Sequence, residues 1–158
     1  CAKVISTVSA DITWVSPSGL EVSQRMVKEE SKLIATKMFG VLVRYTLSYP
    51  TDTADSRKAK NAIAPTFVHS LDSAHLSKVA CDFDQQLAVV HDSFATVPAH
   101  CQQLRSSLLT TLEKMYSDVR LEDYKEYWEQ RYNVELPEPP AQGEFDITTV
   151  SECLYAFS

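Results

Sequence analysis

The stretch Ala88-Val89-Val90-His91-Asp92-Ser93-Phe94 is an apolar strand that runs into a histidine and an aspartate at a tight turn. A short return strand is predicted to follow through Val97, so Asp92 would lie at the tip of a β-hairpin. Burial of a carboxylate beside apolar strand residues is costly unless a cation or a full set of hydrogen bonds compensates it. Because Mg²⁺ prefers carboxylate and phosphate oxygens, we predict that Asp92 is buried at this turn as a metal ligand. The alternative is a strand end with a solvated aspartate.

The charges of the chain are unevenly distributed. Over 158 residues the net charge is −6, yet residues 1–61 carry nine Lys and Arg against six Asp and Glu, whereas residues 62–158 carry six against fifteen. Only the first part is therefore expected to attract a phosphate backbone. The acidic second part is more consistent with metal binding and a solvated outer face.

Glycine and cysteine usage excludes several kinds of site. The chain has three glycines, Gly19, Gly40 and Gly143, and no glycine-rich phosphate-binding loop. Its four cysteines are far apart and form no Cys-x-x-Cys pair, so neither a zinc site nor a disulfide framework is predicted.

No apolar run approaches the length of a membrane span, and no membrane partner is expected. Because the chain begins with Cys1 rather than Met, we expect it to be a piece of a longer protein.

The N-terminal third predicts β structure. Residues 11–27 alternate in polarity around Ser16-Pro17-Ser18-Gly19, which is typical of a type I turn, and predict a β-hairpin. Residues 33–49 are rich in β-branched and aromatic side chains and predict a strand that is bent or interrupted at Gly40. One face of this strand would carry Leu33, Ala35, Lys37, Phe39, Val41, Val43, Tyr45 and Leu47. Residues 49–58 are polar and predict a loop.

The remainder of the chain predicts mainly helices. Asp72 is expected to cap a helix over residues 73–82, Pro98 to begin a long amphipathic helix, and residues 122–132 to form another. The aromatic side chains of the last helix are assigned to the core rather than to base stacking, because its acidic residues would repel phosphates. A stiff spacer and a short helix follow. The predicted fold class is α+β: an antiparallel sheet backed by helices, with a projecting β-hairpin and a helical C-terminal segment.

Several segments resemble one known family. Ala64-Pro65-Thr66-Phe67-Val68-His69-Ser70-Leu71-Asp72-Ser73-Ala74-His75 and His91-Asp92-Ser93-Phe94 together resemble the C-terminal part of single-subunit, bacteriophage-type DNA-directed RNA polymerase. Trp14-Val15-Ser16-Pro17-Ser18-Gly19 resembles a turn in the fingers of that family, and residues 143–158 resemble its C-terminus. The resemblance implies a fingers segment with a promoter-specificity hairpin over residues 1–62. It further implies a polymerase palm segment with the catalytic Asp turn over 63–119, and a C-terminal helical segment and foot over 120–158.

The same resemblance implies roles for individual residues at the catalytic turn and the C-terminus. Asp92 would bind a catalytic Mg²⁺, and His91 would shape the turn and the site of the primer terminus. A strand-end histidine held by backbone groups accounts for His91 about as well. Phe157 and Ser158 would form a C-terminal foot tucked near the active centre.

Nucleic-acid contacts are implied for two further groups of residues. His69 would contact the minor groove of the RNA·DNA hybrid, where acceptors are common to all base pairs, and Ser70, Asp72 and His75 would complete that stretch. Helix capping explains Asp72 nearly as well. Looser candidates for DNA contact are Lys37, Arg44 and Tyr45 on the predicted strand.

The function that the resemblance implies is template-dependent nucleotidyl transfer by two metal ions. The second carboxylate that the family carries on an earlier palm strand has no counterpart here, so the chain alone is predicted to be inactive. It would need the upstream half of the polymerase, on the same or a separate chain. The implied partners are the DNA template and promoter, the RNA product and nucleoside triphosphates. The expected location is the cytoplasm of an infected bacterium, or alternatively the mitochondrial matrix or the plastid stroma.

Two other interpretations of the sequence stay open. A family A DNA polymerase palm has the same architecture, but that family follows His-Asp with Glu, where Ser93 stands here. The other interpretation is a non-enzymatic, acidic α+β interaction domain in which Asp92 is merely a turn residue.

Overall fold

The structure, a computed structural model, describes residues 12–153, 155 and 156. Over these residues the fold consists of three two-stranded antiparallel sheets and three α-helices, which confirms the predicted α+β class. The strands are β1 (Ile12–Val15), β2 (Glu21–Gln24), β3 (Val27–Met38), β4 (Val41–Ala54), β5 (Ala88–Val90) and β6 (Ser93–Ala95). The α-helices are α1 (Ser56–Asp82), α2 (Cys101–Asp118) and α3 (Leu121–Tyr132). There are also two 3₁₀ turns in the described residues. Pro98–His100 leads directly into α2, and Ile147–Glu152 follows α3 near the C-terminus.

The first hairpin forms where its turn residues predict it. β1 pairs with β2, and the Gly19 amide donates to the Ser16 carbonyl at 2.8 Å. Gly19 has a φ of 84°, a conformation that costs glycine little. The hairpin turns Trp14 inward, where it is 0% exposed.

The prediction of one strand, bent or interrupted at Gly40, was wrong, because the segment forms the β3–β4 hairpin. The chain reverses completely at Phe39 and Gly40, whose φ angles of 50° and 82° fit a two-residue type I′ turn. Across such a turn paired residues differ in parity: Lys37 faces Leu42, and Ala35 faces Arg44. The predicted single face of odd-numbered residues was therefore wrong, because its members beyond Gly40 lie on the opposite side of the hairpin from those before it.

The predicted loop over residues 49–58 was also wrong. β4 continues to Ala54, with Pro50 paired to Glu29, and the Thr51 hydroxyl donates to the Lys28 carbonyl at 2.9 Å. Proline is tolerated there because the strand is at the edge of its sheet. Polar residues in this segment meet the solvent on the hairpin rather than forming a loop.

Helix α1 begins 17 residues before the predicted start at Ser73 and contains Pro65. Its N-cap is Asp55, whose carboxylate accepts from the Lys58 amide at 2.9 Å, so the predicted capping role of Asp72 was wrong. An interior proline costs a helix about 3 kcal/mol, and the buried face that runs from Ile63 to Val79 offsets that cost. The helix also runs across the predicted division between residues 62 and 63.

Two hydrophobic clusters hold the helices and short strands together. The first, here called the Trp14 cluster, has Ile12, Trp14, Ile63, Trp128 and Leu136 as its buried members. The second, here called the Val79 cluster, has Val79, Phe83, Leu104 and Leu108, with Leu87 and Phe94 packed against it. The predicted helices at α2 and α3 and the assignment of the α3 aromatic residues to the core are confirmed. No helix in the described ranges has both the length and the apolar character needed to cross a membrane.

Candidate active site and nucleic-acid interface

The His91-Asp92 turn forms as predicted. Val90 of β5 pairs with Ser93 of β6, so His91 and Asp92 are the two central residues of the turn. His91 has a φ of 57°, in the left-handed region that favours glycine. Residues held in such sparsely populated conformations cost of order 1 kcal/mol or more and are concentrated at functional sites. The strained residue therefore marks the turn as a candidate site.

The predicted burial of Asp92 was wrong, because the structure places Asp92 and His91 at the surface. The strands are three residues long, and their two-residue turn projects beyond the Val79 cluster. Over residues 12–153, 155 and 156, no three or more His, Cys, Asp or Glu side chains come together as a metal site. Mg²⁺ in phosphoryl-transfer sites keeps several waters and takes one or two carboxylates plus substrate phosphates. Asp92 could supply one carboxylate to such a site.

The base of the β5–β6 hairpin is firmly anchored although its tip is exposed. Phe94 packs against the Val79 cluster, and its ring centroid lies 6.2 Å from that of His75 in an edge-on arrangement. The Thr96 hydroxyl donates to the Gln86 carbonyl at 2.6 Å and closes the hairpin below the strands. Asp92 is thus a solvent-facing carboxylate held two residues from a fixed aromatic anchor.

Two residues predicted to contact nucleic acid are buried instead. The Ser70 hydroxyl accepts from the Trp14 indole at 2.9 Å and donates to the Phe67 carbonyl at 2.6 Å. His75 is buried, with its Nε2 3.0 Å from the Leu108 carbonyl oxygen, and so connects α1 to α2. These contacts give both side chains structural roles, and their burial keeps them from contacting nucleic acid.

His69 and Asp72 remain exposed on α1. They are three residues apart and so lie on neighbouring positions of one helix face. Burial and, to a smaller extent, the charge of Asp72 raise the pKa of the Tyr116 phenol on α2. Asp72 therefore lies near enough to Tyr116 of α2 for its charge to act on that phenol, and His69 lies about one turn earlier on α1.

The three candidates on the β3–β4 hairpin are exposed but do not share one face. Lys37 and Arg44 occupy the same face, since their partners across the ladder are Leu42 and Ala35. Tyr45 faces the other side, where its hydroxyl donates to the Met38 sulfur at 3.3 Å. A nucleic acid that lies along one face of the hairpin can contact Lys37 and Arg44 together. It can contact Tyr45 only if it also passes around the edge of the hairpin to the other face.

The predicted C-terminal foot of Phe157 and Ser158 lies outside the described residues. The segment before it is placed against α2: Val150 is buried, and an Arg105 guanidinium nitrogen donates to the Cys153 carbonyl. Asp146 caps the Ile147–Glu152 turn, and hydrogen bonds from Thr148 hold the pKa of its carboxyl below the usual value. The predicted short C-terminal helix is present as this 3₁₀ turn.

Phe39 is a surface residue whose position at a hairpin tip was not predicted from the sequence. Its side chain is 100% exposed at the tip of the β3–β4 hairpin. The signal was a residue followed by glycine between two β-rich runs, which is typical of a two-residue hairpin turn. The prediction of one bent or interrupted strand over residues 33–49 did not include that turn.

Comparison with known proteins agrees with the motifs described above. Residues 2–136 match the family described as DNA-dependent RNA polymerase. The whole chain is 37% identical to DNA-directed RNA polymerase 3, chloroplastic, of Nicotiana sylvestris, and 33% identical to DNA-directed RNA polymerase 1, mitochondrial, of Arabidopsis thaliana. It is also 32% identical to DNA-directed RNA polymerase 2, chloroplastic/mitochondrial, of Arabidopsis thaliana. The chain spans 16% of the length of each of these relatives.

Proposed function

The chain belongs to the DNA-dependent RNA polymerase family, and we propose that it forms a C-terminal catalytic portion of a single-subunit RNA polymerase. The proposed reaction is template-directed transfer of nucleotides to the 3′ end of RNA. The observation that carries the proposal is the His91-Asp92 turn, a solvent-facing carboxylate on a strained, anchored hairpin. The alternatives of a family A DNA polymerase and of a non-enzymatic domain lose their support, because the relatives are RNA polymerases.

In this proposal Asp92 provides one carboxylate of the catalytic centre. Bound Mg²⁺ would activate the attacking 3′-hydroxyl and neutralise the triphosphate leaving group. This chain positions the Asp92 carboxylate. Phe94 and the Gln86–Thr96 hydrogen bond hold the β5–β6 hairpin in place, and the two-residue turn exposes the carboxylate to solvent. His91 orients that turn from its left-handed conformation.

The exposure of Asp92 is consistent with a centre that other parts of the enzyme complete. Two carboxylates from different strands usually hold a pair of metal ions, and within the described ranges Asp92 belongs to no group of three or more His, Cys, Asp or Glu side chains that could hold a metal. We propose that the second carboxylate and the nucleotide-binding groups belong to the remainder of the polymerase. The chain by itself is therefore expected to be catalytically inactive.

The proposed nucleic-acid surface has two parts. His69, exposed on α1, would donate to the minor groove of the RNA·DNA hybrid near the growing end, with Asp72 beside it. Lys37 and Arg44 would contact DNA phosphates from one face of the β3–β4 hairpin, and Tyr45 would reach DNA from its edge. The promoter and template, nucleoside triphosphates and the RNA product are the proposed ligands.

We also propose that the protein acts in a plastid or a mitochondrion. The supporting observation is that the relatives described above are named as chloroplastic or mitochondrial enzymes. These names favour an organelle over the cytoplasm of an infected bacterium. Fractionation of source cells, with the polymerase detected in purified organelles, tests the location.

The decisive test of the function is Asp92→Asn in the complete polymerase. Metal ions in such centres supply several kcal/mol of transition-state stabilisation, and about 1.36 kcal/mol is tenfold in rate, so we expect Mg²⁺-dependent RNA synthesis to fall by about 10³-fold or more. Template binding, measured by fluorescence anisotropy, should stay unchanged. Asp82→Asn, which removes another exposed carboxylate, is the matched control. Normal synthesis by Asp92→Asn would refute the catalytic assignment.

A further inference from the structure

The tip of the β3–β4 hairpin carries a side chain that this chain's own fold does not use. Phe39 is 100% exposed, and with a φ of 50° it occupies the first central position of the turn. Type I′ turns favour Asn, Asp or Gly at this position, because other side chains are strained there. Phe39 thus costs conformational energy and buries nothing within the described residues, so any partner of its ring lies outside them.

The surroundings of Phe39 indicate the chemistry of that partner. Residues 31–48, the distal part of the hairpin, contain three cations, Lys32, Lys37 and Arg44, and no Asp or Glu. The acidic residues of β3, Glu29 and Glu30, lie near the base, where Glu29 pairs with Lys58 at 3.0 Å. A positive distal segment with an aromatic tip is the combination that binds single-stranded nucleic acid, by phosphate attraction and base stacking.

The hairpin geometry also suits contact with a base rather than with the backbone alone. A strand of 12 residues extends for about 40 Å, and Phe39 is at its far end. Aromatic and apolar side chains that project in this way stack on unpaired bases or insert between base steps.

We propose that Phe39 stacks on an unpaired DNA base while Lys37 and Arg44, which share one face of the distal hairpin, hold the neighbouring phosphates. The inference rests on the proposed function for the presence of DNA at this hairpin, and it adds a contact that reads the unpaired state of the strand rather than its sequence. A protein partner for the tip is the competing occupant. The uncompensated positive charge of residues 31–48 favours the nucleic acid over it.

The test compares Phe39→Asn and Phe39→Trp in the complete polymerase. Asparagine suits a type I′ turn, so Phe39→Asn removes the ring while keeping the hairpin. The probes are a DNA duplex with a central unpaired region containing 2-aminopurine, the same duplex fully paired, and a single-stranded RNA of the same sequence. Phe145→Ala, at another strongly exposed Phe outside the hairpin, is the matched control.

We expect Phe39→Asn to lose about tenfold in affinity for the unpaired DNA, which corresponds to about 1.4 kcal/mol of stacking, and little for the paired duplex. Wild type and Phe39→Trp should quench 2-aminopurine, whereas Phe39→Asn should not. Phe145→Ala should match wild type. Unchanged affinity of Phe39→Asn for the unpaired DNA, or an equal loss on paired DNA, would overturn the stacking. A loss on RNA alone would overturn the assignment to DNA.

Failure of this inference is distinguishable from failure of the proposed function. Lys37→Ala and Arg44→Ala should weaken binding to both DNA probes and lower the dependence of affinity on salt. If they do so while Phe39→Asn binds as wild type, the hairpin holds DNA and the stacking is wrong. If none of the three variants changes DNA binding, the DNA role of the hairpin is wrong as well, whereas the Asp92 assignment is judged separately by RNA synthesis.

Discussion

The β3–β4 hairpin and the Trp14 cluster are built from the same kinds of residue, yet one is exposed and the other is buried. Trp14 is 0% exposed and packs against α1 and α3, whereas Leu33 on β3 is 64% exposed. Further exposed apolar side chains occupy both faces of the hairpin, among them Ile34, Met38, Val41, Leu42 and Leu47. Apolar and aromatic side chains therefore occur in both regions, but their burial depends on whether another element covers them.

The Trp14 cluster stabilises the fold, whereas the β3–β4 hairpin exposes side chains that could bind a partner. In the Trp14 cluster even the polar groups serve the fold: the Trp128 indole donates to the Thr13 carbonyl at 2.9 Å, and the Thr13 amide donates to the Tyr132 hydroxyl at 2.9 Å. On the hairpin, side-chain contacts such as Tyr45 with Met38 stay between the two strands, and most apolar side chains remain exposed. We therefore expect substitutions in the cluster to affect stability, and substitutions on the hairpin to affect binding.

The largest effect is expected from Trp14→Ala. Removing a fully buried indole should reduce stability by about 3–5 kcal/mol, because Ile63 and Trp128 lose their contacts and Ser70 loses its hydrogen-bond donor. Hydrogen exchange of the α1 and α3 amides in the complete protein measures this local free energy. Val15→Ala, at the exposed neighbouring position, is the control. A loss no greater than that of the control would contradict the central role of the cluster.

A smaller loss is expected from Ser70→Ala, which separates the structural role of this side chain from its predicted nucleic-acid role. The buried Trp14 indole N–H would be left without its acceptor, at a cost of about 1–3 kcal/mol. Ser73→Ala, at an exposed position on the same helix, should change stability by less than about 0.5 kcal/mol. The same exchange measurement applies. If Ser70→Ala were as stable as wild type and bound the RNA·DNA hybrid more weakly, Ser70 would belong to the interface after all.

The smallest effect is expected from Leu33→Ser on the hairpin. Because Leu33 is mostly exposed, the free energy of unfolding should change by less than about 0.5 kcal/mol. Leu104→Ser in the Val79 cluster, by contrast, should cost at least the roughly 2–5 kcal/mol of a buried Leu→Ala substitution. Exchange rates of the β3 and α2 amides report the two changes. A large loss for Leu33→Ser would mean that another part of the complete polymerase covers this face of the hairpin.

Features controlled by a few adjacent residues were predictable from the sequence. Ser16-Pro17-Ser18-Gly19 specifies its turn because Pro17 and Gly19 restrict or permit the required backbone angles. The hairpin at Asp92 and the helices α2 and α3 follow in the same way from short apolar strands and from a regular helical period. The family resemblance was likewise carried by short, contiguous motifs, and the family match agrees with it.

Features that depend on distant contacts were decided by the tertiary structure. The polar segment before Asp55 became strand because β3 supplied hydrogen-bond partners, and α1 continued through Pro65 because its buried face packs on other elements. Ser70 and His75 are buried because they form hydrogen bonds with Trp14 and with the Leu108 carbonyl, which are 56 and 33 residues away in sequence. Asp92 is exposed because no element in the described part of the chain covers its turn. The sequence by itself determined the local conformations and the family, since these depend on neighbouring residues, whereas burial and exposure depend on which surfaces meet in three dimensions.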